Sequence, residues 1–404
     1  MTELESVVIA GAGLAGLQVG ASLRELGFAG RVLIVGDEPQ APYHRPPLSK
    51  SYLMGTTAEA KLDMRAAAYY QDKQLELRVG RRVVALDRAH HHVALDDDTV
   101  IDYGHFVFAV GARNRPLPIK GAELGNVFYL RSLAEARDLK TALARARHAV
   151  VIGAGFIGLE FAATARQQGV EVTVVEVAER PMARAVSPEI AALFTREHRS
   201  RGIRFMFNTQ VLHLLGEQGL VTGIETVEHE QIAADIVVIG IGVQPNVEVA
   251  AAAGLVVENG IVVNEHLLTS DAAVSAIGDC AAFPSRFANG AHVRLESVQN
   301  ATDQARCVAA RLLGKPTSYD AVPWFWSDQG ELKLQIAGLT IGATERVVRG
   351  DPAGTSCAVF YFHDGALLSV ETVNRVAEHM LGRRLVGQRI ALTPAQAADE
   401  SYDL

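Results

Sequence analysis

The chain is poor in cysteine. Its 404 residues hold three, Cys280, Cys307 and Cys357, with none before position 280. There is no Cys-x-x-Cys pair and no thiol in the N-terminal half, which argues against thiol–disulfide exchange and against cysteine-based peroxide reduction. Three scattered thiols are also too few to hold an iron–sulfur cluster, and no metal site is expected. An odd, dispersed set fits a reducing compartment, so a cytoplasmic location is expected. A basic excess is missing as well. Lys and Arg number 38 against 46 Asp and Glu, a net charge of -8, which argues against nucleic-acid binding. No apolar run reaches the roughly 18 residues that span a bilayer, so no membrane role is expected. The first strand starts almost at once, so no signal or transit peptide is expected. What remains is a globular composition, 49% hydrophobic and 21% charged, long enough for two or three domains.

Glycine is where the information lies. Val7-Val8-Ile9-Ala10 is a β-branched run that feeds Gly11-Ala12-Gly13-Leu14-Ala15-Gly16, and helical spacing follows through Leu23. Such a strand, turn and helix make a dinucleotide site. The first glycine permits the tight turn, the second lets the backbone approach a pyrophosphate, and the third lets helix and strand pack closely. The phosphates then meet the free N–H groups of the helix N-terminus. A second strand, Arg31–Gly36, ends in Asp37, placed to bind an adenosine ribose. The same pattern returns later in the chain. Val150-Val151-Ile152 leads into Gly153-Ala154-Gly155-Phe156-Ile157-Gly158, Glu160 follows on the helix, and Val172–Val175 ends in Glu176. Glu176 can accept both ribose hydroxyls of NADH and repel a 2′-phosphate. Arg180 and Arg184 lie close enough in sequence to soften that repulsion, and NADH is favoured over NADPH.

Other stretches leave alternatives open. Tyr43-His44-Arg45-Pro46-Pro47-Leu48-Ser49-Lys50 holds an extended backbone and could start a short helix. On local chemistry Lys50 is either a solvated lysine or a cation facing a cofactor. Val83–Leu86 and Val93–Leu95 predict a small meander with Asp96-Asp97-Asp98 as its turn. His90-His91-His92 beside it is expected to be solvated, since neighbouring strand side chains point to opposite faces. The run Ile236–Ile239 and Gly242-Val243-Gln244-Pro245 should return the chain to the first domain. Asp279 ends a short strand against Gly278, and a helix is expected from Glu296 through Arg306 and Arg311. From Tyr319 the texture turns to strands. Trp324 and Trp326 are the only tryptophans, suited either to core packing or to a place beside an aromatic cofactor.

These segments together resemble the FAD-dependent, NADH-using ferredoxin reductases that serve bacterial ring-hydroxylating dioxygenases and cytochrome P450 systems. The resemblance runs nearly end to end. It is carried most specifically by Arg45-Pro46-Pro47-Leu48-Ser49-Lys50, by 269–279, by Glu296-Ser297-Val298-Gln299-Asn300-Ala301 and by Trp324-Phe325-Trp326-Ser327-Asp328-Gln329. It implies a glutathione-reductase-like α/β fold, with two Rossmann-type domains and an α+β C-terminal domain. The expected division is an FAD-binding domain over 1–113 and 245–318, an NAD-binding domain over 114–244 and an interface domain over 319–404. By the same resemblance, Gly11, Gly13, Ala15, Gly16 and Asp37 hold the ADP half of FAD, and Arg45, Val83, Arg131, Asp279 and Val298 make further FAD contacts. Lys50 lies near flavin N5 and pairs with Glu160. Gly153, Gly155, Gly158 and Glu176 bind NADH, with Glu160 beside the nicotinamide. Trp326 lies at the flavin edge where the partner approaches. Val110 departs from the family's usual threonine and puts one hydrogen bond in question.

The expected activity is an NADH:ferredoxin oxidoreductase. NADH gives a hydride to the flavin, and single electrons leave for a separate carrier, most simply a 2Fe–2S ferredoxin. Lys50, Glu160 and Trp326 then tune and transmit rather than act as a general acid or base. Docking falls to a local basic patch, with Arg306 and Arg311 as candidates, or else these two are an ordinary solvated helix face. A monomer or weak homodimer is expected. Rival readings are a rubredoxin or nitrite reductase component, and an NADH-binding interaction protein like apoptosis-inducing factor.

Overall fold

The computed structural model describes residues 4–316 and 318–404. They form two compact units, one of 4–44, 63–113, 244–316 and 318–325 and the other of 45–62, 114–243 and 326–404.

The first unit is organised around strand β1 (Ser6–Ala10), helix α1 (Leu14–Glu25) and strand β2 (Arg31–Gly36). β1 is central in a five-stranded parallel sheet, with β2 and Leu75–Val79 on one side and His105–Phe108 and Val274–Ala276 on the other. A strand with neighbours on both edges and helices above is apolar throughout, and Val7, Val8, Ile9, Val32, Leu33 and Ile34 are fully buried. The predicted meander is present as three antiparallel strands, Val83–Asp87, His92–Leu95 and Val100–Asp102.

The second unit repeats that plan. Strand β3 (His148–Ile152) feeds helix α2 (Phe156–Gln167), and β4 (Glu171–Val175) follows. β3 again lies in the middle of five parallel strands, flanked by β4 and Ile203–Met206 and by Ile236–Ile239 and Val127–Phe128. The turn closes identically in both units. Gly11 N–H donates to Val35 O at 2.7 Å, and Gly153 N–H donates to Val175 O at 2.8 Å. Helix α3 (Pro188–Ser200) has Pro188 in its first turn and is capped by Ser187, whose hydroxyl accepts from Ile190 N–H.

In the first unit, helix α4 (Val298–Leu312) is capped by Ser297 and begins two residues after the expected Glu296. Ser297 stays extended so that its hydroxyl can accept from Asn300 N–H at 3.1 Å. Strand β5 (Trp324–Gln329) then opens a five-stranded C-terminal sheet. Its order is β5, Leu332–Gly338, β6 (Ala366–Val373), Ser356–His363 and Glu345–Asp351, its last four strands pairing antiparallel. The helix over Val376–Gln388 packs on it so tightly that a Cβ on Gly382 would stand 3.0 Å from the Val370 side chain. Two Rossmann-type folds and an α+β C-terminal portion result.

Candidate functional site

The glycines of the first loop divide into two kinds. A Cβ on Gly11, at φ +116°, would stand 2.1 Å from Ala109 O, and one on Gly16 would stand 2.0 Å from Gly11 O. Both positions need glycine for packing. A Cβ on Gly13 would meet no described atom within 4 Å, so here the backbone faces open space. Gly13 is also the N-cap of α1, with no side-chain cap and no acid in the first turn. The N–H groups of that turn therefore face a ready cradle for an anion. Gly278, which precedes Asp279, would place a Cβ 3.4 Å from that of Ala15 and 3.9 Å from that of Ala301. Gly278 N–H donates to Gln304 Oε1 at 2.7 Å. The Asp279 loop, the start of α1 and the start of α4 with Val298 thus come together in the first unit. Asp37 is exposed beyond β2, and Val83 is buried in the same core.

The second loop has the same form. A Cβ on Gly158 would stand 2.3 Å from Gly153 O, while Gly155 meets only Gly240 O at 3.7 Å. Gly155 caps α2 with neither a side-chain cap nor an early acid. Ser132, Ser187 and Ser297 by contrast cap their helices through their hydroxyls. Glu176 is tied to the loop: Oε2 accepts from Ala154 N–H at 2.7 Å and Oε1 from Ala178 N–H at 2.9 Å. Arg180 donates to the carbonyls of Val186 and Ala183 at 2.8 and 2.9 Å and forms no ion pair with Glu176 among the described residues, while Arg184 is exposed.

Glu160, on α2, is only 3% exposed. Its Oε2 accepts from Lys50 Nζ at 2.6 Å and from Ser49 Oγ at 2.5 Å, and its Oε1 accepts from Ser327 Oγ at 2.7 Å. Lys50 also donates to Pro46 O at 3.1 Å. The Pro46–Ser49 turn is a short 3-10 helix with both prolines in its first positions, and it delivers Ser49 and Lys50 side by side. Thr164, one turn beyond Glu160, holds that turn by donating to Ser49 O at 2.9 Å. A carboxylate so deeply buried requires several donors, and this one has three. Arg45 joins Arg131 by donating to its carbonyl at 2.8 Å. On β5 the faces alternate: Trp326 and Asp328 are half-buried, while Ser327 and Gln329 on the opposite face are fully buried.

Ser49, Ser327 and Gln329 had no role in the sequence reading, although the W-F-W-S-D-Q alternation marks Ser327 and Gln329 as sharing a face. One expectation needs correction. Arg306 is exposed and pairs with Asp303 at 3.3 Å, but Arg311 is turned inward and donates to Ser275 Oγ at 2.6 Å. It lies on the face of α4 that also buries Gln304 and Val308, and is itself half-buried. All three cysteines are buried thiols, none in a disulfide among the described residues, and burial pushes the Cys280 thiol up to about 12. Among the described residues, no three His, Cys, Asp or Glu are grouped to hold a metal, and no helix is long and apolar enough to cross a membrane.

The arrangement therefore offers two anion cradles at helix N-termini, each followed by an acid at the end of the next strand. Beside the second lies a buried glutamate paired with a part-buried lysine. The family model for pyridine nucleotide-disulphide oxidoreductases matches residues 5–305, and a reductase C-terminal model matches 324–404. Rhodocoxin reductase of Rhodococcus erythropolis is 50% identical over 399 residues, covering 99% of this chain and 93% of that protein. The crystal structure of the ferredoxin reductase for the CYP199A2 system from Rhodopseudomonas palustris superposes with a TM-score of 0.96 at 50% identity, covering 99% of this chain and 98% of that one. The covalent putidaredoxin reductase–putidaredoxin complex matches with a TM-score of 0.96 at 40% identity, over 98% of this chain and 96% of that one.

Proposed function

Because the chain belongs to the pyridine nucleotide-disulphide oxidoreductases, and within them to the ferredoxin reductases of bacterial dioxygenase and cytochrome P450 systems, we propose that it carries electrons from NADH through FAD to a 2Fe–2S ferredoxin. The observation that carries this reading is the pair of open glycine cradles, each at an uncapped helix N-terminus. The absence of any cysteine before Cys280 removes the disulfide route, so electrons leave from the flavin. When bound, the flavin supplies the step from two-electron to one-electron transfer.

The chain's own residues bind and orient. Gly11, Gly13, Ala15 and Gly16 accommodate the FAD pyrophosphate, and Asp37 takes its ribose. Arg45, Val83, Arg131, Asp279 and Val298 complete the FAD contacts. Gly153, Gly155 and Gly158 hold NADH. Glu176, aimed by Ala154 and Ala178, accepts the ribose hydroxyls and repels a 2′-phosphate. Arg180 is anchored to two carbonyls rather than bonded to Glu176, which supports NADH over NADPH. Lys50 and Glu160 set the charge near flavin N5, and Trp326 stands on the path to the partner. Arg306 is the remaining docking candidate on α4. We assign 1–113 and 245–318 to FAD binding, 114–244 to NAD binding and 319–404 to the partner interface, in a cytoplasmic monomer or weak homodimer.

The test is cytochrome c reduction by the purified yellow protein, with and without a 2Fe–2S ferredoxin. Strong stimulation by ferredoxin with NADH, lost with NADPH, is the expected result. Fast flavin bleaching by NADH that ferredoxin does not couple to cytochrome c would overturn the partner and keep the cofactors.

A further inference from the structure

The contacts of Glu160 extend beyond Ser327. Gln329, two residues on and on the same face of β5, donates from Nε2 to Ser327 Oγ at 3.3 Å. Its Oε1 lies 2.8 Å from Nε2 of His198 on α3. Ser327, Gln329 and His198 are each fully buried. They form an unbroken line from His198 to Glu160 within the second unit.

That line has a direction. A serine hydroxyl has one proton and an ionised carboxylate only accepts, so Ser327 donates to Glu160 and must accept from Gln329. The amide oxygen of Gln329 then faces His198, whose Nε2 must carry the proton. Burial pushes the His198 pKa down, which keeps the ring neutral and leaves Nδ1 bare. Nδ1 has no hydrogen-bond partner among the described residues. The reversed line puts the proton of a neutral Glu160 on Ser327, turns the Gln329 amide over and moves the His198 proton to Nδ1. There the N–H points at no acceptor. Unpaired buried donors are disfavoured, so the forward direction is selected, with Ser327 donating to Glu160.

We propose that His198, Gln329 and Ser327 are positioning residues that act through Glu160, holding one of its oxygens so that the other stays aimed at Lys50. Aligned hydrogen bonds polarise one another, so removing one link weakens the donor that reaches Glu160. The consequence for the flavin rests on the role given above to Lys50 and Glu160. A less firmly held Glu160 offsets the Lys50 charge less, which favours the electron-rich reduced flavin and raises its potential.

The experiment uses the full-length, flavin-loaded protein and two readouts that a merely structural role would not move. Nitrogen NMR of ring-labelled His198 reports its tautomer, and a redox titration reports the flavin midpoint potential. The expected tautomer is neutral with the proton on Nε2. Glu160→Gln is expected to raise the potential, and Ser327→Ala to raise it less, by about threefold to tenfold in the oxidised-to-reduced ratio. A tenfold change corresponds to about 30 mV for a two-electron couple. Ser327→Thr, which keeps the hydroxyl, should restore the original value, and Ser327→Ala should add nothing in a Glu160→Gln background. A proton on Nδ1 overturns the proposal. So does a Ser327→Ala protein with unmoved potential while Glu160→Gln shifts. If Glu160→Gln itself leaves the potential unmoved, the assigned role of Glu160 fails first and the positioning claim falls with it.

Discussion

Gln18 and Glu160 stand at the same place in two copies of one loop, equally far beyond Gly13 and Gly155. The copies share strand order, turn hydrogen bond and an uncapped helix start. They differ in what the helix carries next. Gln18 is half-buried and donates to Ser22 Oγ at 2.9 Å, a local contact within α1. Glu160 is buried and gathers donors from the 45–62 segment and from β5. The glycines leave an open, uncapped helix start in both copies; the buried carboxylate is added to one. The strand-end acids differ similarly, Asp37 exposed and Glu176 held by two amide N–H groups.

The largest expected effect comes from breaking each copy separately. Gly16→Ala drives a Cβ against Gly11 O, and the protein should purify colourless, without flavin. Gly158→Ala meets Gly153 O instead, and should stay yellow while its reduction by NADH falls by about a hundredfold, as misplacement by about 1 Å can cost. Loss of colour in both would break the distinction between the copies.

Exchanging the distinguishing residues comes next. Glu160→Gln leaves Lys50 unpaired and should cost about 1–3 kcal/mol in denaturant unfolding, discounted because Lys50 is 24% exposed. Flavin reduction by NADH should slow about tenfold. Gln18→Glu should cost less than about 1 kcal/mol and leave that rate alone, since its neighbourhood is half-open. Equal effects of the two would remove the functional meaning of position 160.

A second buried glutamate sharpens the contrast. Glu371 on β6 accepts from Ser187 N–H and Tyr361 Oη, each at 2.9 Å, and burial pushes its pKa up from 4.5 to about 7. The folded state therefore keeps a proton that the unfolded chain releases. Its contribution is complete below about pH 4.5 and is lost as pH rises toward 7, a swing of about 3 kcal/mol. Glu371→Gln should flatten the stability curve between these values and leave the variant more stable at pH 8. The difference between the two proteins isolates this residue from His198 and His379, whose lowered pKa values act in the opposite direction.

Smaller effects concern recognition. Glu176→Gln should weaken NADH binding about tenfold, about 1.4 kcal/mol, and narrow the gap to NADPH. Arg306→Ala should slow ferredoxin association about twofold at low salt, with the difference fading as salt is added.

The fold was legible because glycine at a forced turn has no substitute: Gly11, Gly16, Gly153 and Gly158 each lie where a Cβ would strike a backbone oxygen. The acids Asp37 and Glu176 followed from spacing. The tie between Lys50 and Glu160 came only from resemblance, since 110 positions separate them and no local period links them. Ser327, Gln329 and His198 were hidden for another reason. A buried polar residue on a strand or helix looks like a surface one until its partners are placed. Arg311 was misread although a signal existed: Gln304, Val308 and Arg311 share one face of α4, and the polar Gln304 disguises that face as solvent-exposed.

The most direct measurement of the central claim is anaerobic rapid mixing of the flavin-loaded protein, first with NADH or NADPH and then with oxidised ferredoxin. The account predicts fast bleaching by NADH, slow bleaching by NADPH, and recovery of the flavin absorbance as two equivalents of ferredoxin are reduced for each flavin. Equal bleaching by both nucleotides would contradict the role of Glu176, and a flavin that stays bleached when ferredoxin is added would contradict the reductase assignment.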